Sequence, residues 1–183
     1  KAARIGKVVY PVTELLDETF LLEPPEFEGH WDPHVWMDVS AWSQAVESVA
    51  TALCEQDADH CVAFRANATA YRKELAALHA YAKESIGSIP ESSRVLITAH
   101  DAFNYFGRAY GIEVVGVQGL STESEAGIDD VNKLVNMLVD RGISAVFVES
   151  SVSDRNVKAL IEGAASKGHI VTIGGELFSD AMG

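Results

Sequence analysis

From Arg94 onward, short apolar runs alternate with amphipathic stretches, and this alternation limits the possible folds more than any other feature. Runs of mostly Val and Ile without polar alternation are typical of strands that are covered on both faces. A regular strand–helix order then favours an α/β fold in which helices flank a parallel β-sheet. The predicted strands are 94–99, 113–117, 144–149 and 169–173, and the predicted helices are 101–110, 129–141 and 154–167.

The segment before Arg94 has a different and mostly helical organisation. A short apolar run at 4–10 predicts one strand, whereas the acidic, proline-containing stretch at 11–33 predicts an irregular segment. Apolar residues at helical spacing predict one helix over 39–55 and a long one over 61–86. At 1.5 Å per residue the long helix spans roughly 40 Å, which suits an element that runs along two lobes rather than inside one.

The charge of the chain argues against one large class of partners. The formal net charge is −13, and nucleic acid is therefore not expected as a partner, because phosphate binding needs concentrated Lys and Arg.

No apolar run reaches the roughly 18 to 20 residues that a membrane-spanning helix needs. The first residues show no signal-peptide pattern and the last follow a predicted loop, so we expect the chain to be part of a longer protein.

The two cysteines, Cys54 and Cys61, form no CxxC motif, so a thiolate zinc site is not expected. They flank the predicted turn between the two helices. A small disulfide across that turn and a pair of free thiols are both consistent with the sequence.

Three side chains that can bind metals lie at or after the carboxyl ends of predicted strands. In an open parallel sheet, ligands bind beyond the carboxyl ends of the strands. His100 follows strand 94–99, Glu149 ends strand 144–149, and Asp180 lies in the loop after strand 169–173. Imidazole and carboxylate together suit zinc, and a site richer in oxygen suits manganese. The sequence therefore predicts a metal site at this edge.

Each of these residues also has a structural interpretation. His100 can cap a helix, Asp180 can form a turn, and Glu149 can pair with Arg155. We favour the metal site for His100 and the structural role for Glu149. Glu123 and Glu125 can line the same edge, but neither is predicted as a ligand.

Outside the sheet, His34 lies in Asp32-Pro-His-Val-Trp36, where proline and tryptophan can hold the ring rigidly. A ligating imidazole donates its second ring N–H to another group, and the nearby carboxylates for this role are Asp38 and Asp101. Glu149 and Arg155 are further candidates for supporting the ligands. The other histidines are interpreted as structural or solvent-facing: His30, His60, His79 and His169.

The signals for catalysis are weak. The chain contains no GxSxG, HExxH, P-loop or GxGxxG motif. A zinc-dependent hydrolase remains an alternative, because the same ligand types serve such enzymes when one coordination position holds an activated water.

Five blocks of sequence carry a family resemblance. They are DPHVWMD at 32–38, TAHDAFNYFGRAYG at 98–111, STESE at 121–125, FVESSVSDRNV at 147–157 and GGELFSDAMG at 174–183. In order and spacing they resemble the TroA-like zinc/manganese solute-binding proteins, a family of metal-binding lipoproteins. The resemblance extends over the chain from about residue 4 onward.

The resemblance implies two α/β lobes that are joined by one long rigid helix. Residues 1–58 would then be the C-terminal remnant of the first lobe and 59–87 the linking helix. Residues 88–183 would be the second lobe without its final helix. Most of the first lobe, which carries a further histidine ligand in the family, would lie outside this chain, and the site would be incomplete.

The resemblance also implies ligands. His34 matches the ligand of the first lobe. His100 matches the second-lobe ligand that is histidine in zinc-type members and glutamate in manganese-specific ones. Asp180 matches the carboxylate ligand near the end of the second lobe.

The implied function is that of an extracytoplasmic solute-binding protein, not an enzyme. It would capture zinc or manganese and deliver the ion to the membrane permease of an ABC importer. We expect a monomer, either periplasmic or lipid-anchored on the outer face of the cytoplasmic membrane. Apart from the hydrolase, the alternative is a surface adhesion or interaction domain, because some relatives are described as adhesins.

Overall fold

A computed structural model describes residues 9–25, 28–120 and 127–181. The chain divides into two compact units, Lys1–Ala82 and Lys83–Gly183. Residues 4–8 of the first predicted strand and the STESE block with Glu123 and Glu125 lie outside the described residues. Val9 and Tyr10 are described and belong to no strand. Among the helices of the described part, none has both the length and the apolar character that crossing a membrane requires.

Two helices dominate the first unit, and both predictions are confirmed to within one residue. Helix α1 runs over Val39–Gln56 and helix α2 over Cys61–Gly87, of which the part up to Ala82 belongs to this unit. Short 3-10 turns precede them at Val12–Leu15, Glu18–Phe20 and Val35–Met37. The start of α1 follows from its capping residue: the Asp38 carboxylate accepts hydrogen bonds from the Ser40 backbone nitrogen at 2.8 Å and the Ser40 hydroxyl at 2.6 Å.

A disulfide and a shared carboxylate hold α1 against α2. Cys54 and Cys61 are joined, so the structure selects the disulfide from the two possibilities that the sequence left open. Further along the helices, the Glu47 carboxylate on α1 accepts a hydrogen bond from Arg65 and one from Arg72, the latter at 2.8 Å. Because these ion pairs are about half exposed, the covalent bond is the stronger constraint.

Removing the disulfide should destabilise the protein moderately. We expect the double variant Cys54→Ser, Cys61→Ser to lose about 2 kcal/mol of unfolding free energy, since the short closed loop no longer restricts the unfolded chain. Denaturant titration measures the change, and the reduced wild-type protein should match the double variant. Equal stability of the oxidised wild type and the double variant would contradict the expectation.

The second unit is the predicted α/β structure. Its strands are β1 at Val95–His100, β2 at Glu113–Gln118, β3 at Ala145–Glu149 and β4 at Thr172–Leu177. Its helices are α3 at Asn104–Tyr110, α4 at Ile128–Asp140 and α5 at Arg155–Ser166. Strand β1 pairs in parallel with β2, and β3 pairs in parallel with β4. These are two separate two-stranded sheets. Because β1 nevertheless lies beside β3, the spatial order is β2, β1, β3, β4.

The core of this unit lies between the strands and the two longer helices. Gly163 shows how closely the helices pack, because a Cβ atom there would lie 2.6 Å from Val135 Cγ2. The apolar periodicity of α4 and α5 had predicted this buried face. The buried residues of the core are Ile97, Ala99, Val117, Val135, Leu138, Val146, Val157, Leu160, Ala164 and Val171.

The last strand differs from its prediction. It covers Thr172–Leu177 rather than 169–173, because Gly174 and Gly175 are part of the strand instead of ending it. A Cβ atom at Gly174 would lie 2.9 Å from the ring of Phe147, so only glycine fits beside that ring. Strand β4 is also mostly exposed, so the expectation that every strand is covered on both faces is wrong for this one.

Candidate metal centre

In the first unit, His34 is buried and held by an acidic partner. The His34 side chain is next to Asp32, and the two residues are 3% and 1% exposed. Asp32 Oδ1 lies 2.7 Å from His34 Nδ1 and also accepts the His34 backbone N–H at 2.9 Å. The Trp36 ring packs against the imidazole in an edge-to-face arrangement, with ring centroids 5.4 Å apart. Since Nδ1 donates to a carboxylate, Nε2 carries the lone pair of the neutral ring.

Asp32, rather than Asp38, is therefore the carboxylate that orients His34. The prediction of Asp38 for this role is wrong, because its carboxylate caps α1 through Ser40. The sequence contains a local pattern that indicates Asp32 for this role. An aspartate two positions ahead of the histidine forms a local turn by accepting a backbone N–H from it.

In the second unit, His100 is the last residue of β1 and is fully buried. Its Nδ1 lies 2.5 Å from Glu149 Oε2, and its backbone N–H donates to Glu149 Oε1 at 2.8 Å. Glu149 is the last residue of β3 and is 3% exposed. One carboxylate therefore fixes both the ring and the backbone of His100, because two neighbouring strands end at the same edge of the unit.

The carboxylate of Asp180 faces the other side of the same ring. Asp180 Oδ2 lies 3.3 Å from His100 Nε2, and the Asp180 side chain is 36% exposed.

Glu149 was predicted to pair with Arg155 or to support the imidazole. Its carboxylate contacts His100 and Ser179 instead of Arg155. Asp101 is close enough for its charge to act on His100.

These charges set the protonation of the buried pair. Burial by itself lowers the pKa of His100, but the hydrogen bond to Glu149 and the negative charges of Glu149, Asp180 and Asp101 outweigh it, so the pKa is raised. For Glu149, burial raises the pKa, but hydrogen bonds from His100 and Ser179 outweigh it and the pKa is lowered. The unit therefore favours an ion pair here when no cation is bound.

The remaining histidines lie elsewhere and have other environments. His30 is exposed, and His60 pairs with Asp57 on the surface of the first unit, 2.8 Å from one carboxylate oxygen. The ring of His169 contacts the Ile143 carbonyl oxygen at 2.7 Å. His79 is half-buried on α2. None of these four has the buried, carboxylate-oriented arrangement that His34 and His100 share.

The repeated arrangement has a clear chemical meaning. A carboxylate that accepts a hydrogen bond from one ring nitrogen fixes the tautomer and makes the other nitrogen a better metal ligand. His34 with Asp32 and His100 with Glu149 each have this form. In the second unit the available donors are the second ring nitrogen of His100 and the Asp180 carboxylate, and in the first unit the available donor is the second ring nitrogen of His34. Imidazole nitrogen and carboxylate oxygen are ligand types that suit zinc, and carboxylate oxygen also suits manganese.

Comparison with known proteins agrees with this chemistry. The family described as zinc-uptake complex component A, periplasmic, matches residues 2–183. The manganese-binding lipoprotein MntA of Bacillus subtilis is 51% identical over 160 residues, which are 87% of this chain and 52% of MntA. The zinc-binding protein TroA of Treponema pallidum is 44% identical over 182 residues, which are 98% of this chain and 58% of TroA.

Solved structures agree as well. The periplasmic zinc-binding protein TroA from Treponema pallidum superposes with a TM-score of 0.93 at 44% identity, covering 99% of this chain and 65% of that one. Fe(III)-bound YtgA from Chlamydia trachomatis superposes with a TM-score of 0.83 at 27% identity, covering 93% and 61%. The chain thus spans little more than half the length of the curated relatives that it matches.

Proposed function

Because the chain belongs to the family of the periplasmic zinc-uptake complex component A, we propose that it is part of a solute-binding protein that captures a divalent transition metal for an ABC importer. The ion is cargo, bound outside the cytoplasm and passed unchanged to the membrane permease, so no catalytic step is assigned. The observation that carries the proposal is the pair of buried imidazoles, each oriented through Nδ1 by a buried carboxylate.

The proposed ligands are His34 Nε2, His100 Nε2 and the carboxylate of Asp180. The Asp180 oxygen already faces His100 Nε2 at 3.3 Å, a separation that suits two ligands of one ion rather than a strong hydrogen bond. Asp32 and Glu149 act on the ion through the imidazoles that they orient.

Zinc and manganese are both candidate cargoes. One relative is named for manganese and another for zinc. Two nitrogen donors favour zinc over manganese, because manganese prefers oxygen-rich sites. We therefore propose zinc as the tighter-bound ion.

Isothermal titration calorimetry of the full-length protein, first stripped by a chelator, tests the proposal. The expected result is one equivalent of metal per chain, with zinc bound more tightly than manganese. A wild-type protein that binds neither ion would contradict the proposal. So would a triple variant, with His34, His100 and Asp180 all replaced by alanine, that binds the ions as tightly as the wild type does.

Lowering the pH should weaken metal binding, and it should stabilise the metal-free fold through the ion pair between His100 and Glu149. Metal binding needs the neutral imidazole of His100, so affinity is present above the raised pKa of His100 and falls as pH drops through it. For the metal-free fold the sign is opposite: a raised folded-state pKa contributes stability below the ordinary value of about 6.5, and that stability is lost as pH rises through the raised pKa.

Calorimetry from pH 8 to pH 5 and thermal unfolding of the metal-free protein over the same range measure the two effects. We expect affinity to fall about tenfold per pH unit once His100 is protonated. A zinc affinity that stays constant to pH 5 would rule out ligation by histidine.

A further inference from the structure

A buried serine stands directly before the proposed carboxylate ligand. Ser179 is 4% exposed, although it lies in the segment after β4 and its neighbour Asp180 is partly exposed. Its Oγ lies 2.9 Å from the Oγ of Ser151, two residues after Glu149, and its side chain is close enough to the Glu149 carboxylate to lower the pKa of that group by hydrogen bonding. A hydroxyl in such a position needs partners, because burying it without them costs free energy.

The chemistry of the groups fixes the direction of these hydrogen bonds. An ionised carboxylate only accepts, and a hydroxyl has a single proton to donate. Ser179 therefore donates to Glu149 and accepts the proton of Ser151. The other groups against the Glu149 carboxylate are the His100 ring, whose Nδ1 lies 2.5 Å from Oε2, and the His100 backbone nitrogen, which donates to Oε1 at 2.8 Å.

Glu149 is thus a common anchor for both proposed ligands of this unit. It holds the His100 imidazole directly. Through Ser179 it also holds the segment that carries Asp180, the next residue along the chain. We propose that Ser179 is a positioning residue for metal capture, which couples the placement of Asp180 to the orientation of the His100 ring through Glu149. This inference rests on the proposed function.

The variant Ser179→Ala removes the coupling without adding volume. We expect its zinc affinity, measured by competition with a chromogenic chelator, to fall about fivefold, which is below the 10- to 100-fold loss that is typical for a direct partner of a ligand. Ser151→Ala should cause a smaller loss, because Ser179 can still donate to Glu149. Ser150→Ala is the matched control: it is an exposed neighbour on the same loop and should leave the affinity unchanged.

A double-mutant cycle with Glu149→Gln separates positioning from general support of the fold. If Ser179 acts through the Glu149 charge, Ser179→Ala should cost less than about twofold in the Glu149→Gln background. A contribution to stability alone would lower the affinity by the same factor in both backgrounds. The melting temperature of each metal-free variant shows that the affinities are compared between folded proteins.

Two results would overturn the inference: an unchanged zinc affinity in Ser179→Ala, or the same loss with and without Glu149→Gln. If either result occurs while the wild-type protein binds one zinc ion, the proposed function stands and only the inference about Ser179 fails. If the wild-type protein bound no metal, the proposed function would fail first.

Discussion

Replacing His100 by alanine is expected to weaken zinc binding by more than about 100-fold, since it removes a ligand and the loss should exceed that for an outer partner. The variant also leaves the Glu149 carboxylate buried without the ring that neutralises it. Such an unpaired charge destabilises a fold by about 3 to 5 kcal/mol when it stays ionised. The zinc affinity therefore has to be measured together with the melting temperature of the metal-free protein.

His100→Gln separates the two effects, because its amide can still donate a hydrogen bond to Glu149 while it is a poor ligand for zinc. We expect this variant to remain folded and to lose as much zinc affinity as His100→Ala does. His60→Ala is the matched control, since its ring is 69% exposed and pairs only with surface groups. A folded His100→Gln protein that bound zinc as tightly as the wild type would remove His100 from the site.

Gly116→Ala should cause the second large effect, on stability and on the site together. Gly116 lies on β2 opposite Thr98 of β1. A Cβ atom at Gly116 would lie 2.5 Å from the Asp101 backbone nitrogen, 2.6 Å from its Cα and 2.7 Å from the Gln118 carbonyl oxygen. Because these are backbone atoms, no side-chain rotation relieves the overlap, and we expect a loss of about 3 kcal/mol.

The same substitution moves the residue that follows His100, so zinc affinity should fall as well. Gly119→Ala provides the control: it lies just after β2, and an added Cβ atom meets nothing within 4 Å. Denaturant titration of both variants measures the difference. A Gly116→Ala protein as stable as Gly119→Ala would show that the end of β1 is not as tightly packed against β2 as described.

The helices could be predicted almost completely from the sequence. Helices α1 and α2 begin and end within one residue of their predicted bounds, because apolar periodicity, a capping aspartate and glycine each act locally. The disulfide could not be predicted. Whether two cysteines bond depends on how α1 and α2 approach each other, and that is a property of packing rather than of spacing.

The last strand shows where local signals mislead. Two adjacent glycines normally indicate a turn, yet Gly174 and Gly175 lie within β4. The reason is the ring of Phe147 on the neighbouring strand, which occupies the space of a side chain at Gly174. Only the pairing of β3 with β4 brings these residues together, so the sequence pattern of either strand alone cannot predict it.

The partners of the proposed ligands show the same limit. The position of His100 at a strand end was predictable, because the order of strands and helices places it there. The contact between Glu149 and His100 joins residues 49 positions apart, and it depends on β1 lying beside β3. The choice between Asp32 and Asp38 for His34 rests on local geometry instead, since both carboxylates accept backbone N–H groups but only Asp32 also reaches the ring.

Anomalous diffraction from crystals of the zinc-loaded protein, with data on both sides of the zinc absorption edge, would locate the bound ion and its ligands. We expect a single peak within about 2.0 to 2.2 Å of His34 Nε2, His100 Nε2 and a carboxylate oxygen of Asp180. A zinc ion that is bound elsewhere, or that is bound without either imidazole, would contradict this expectation.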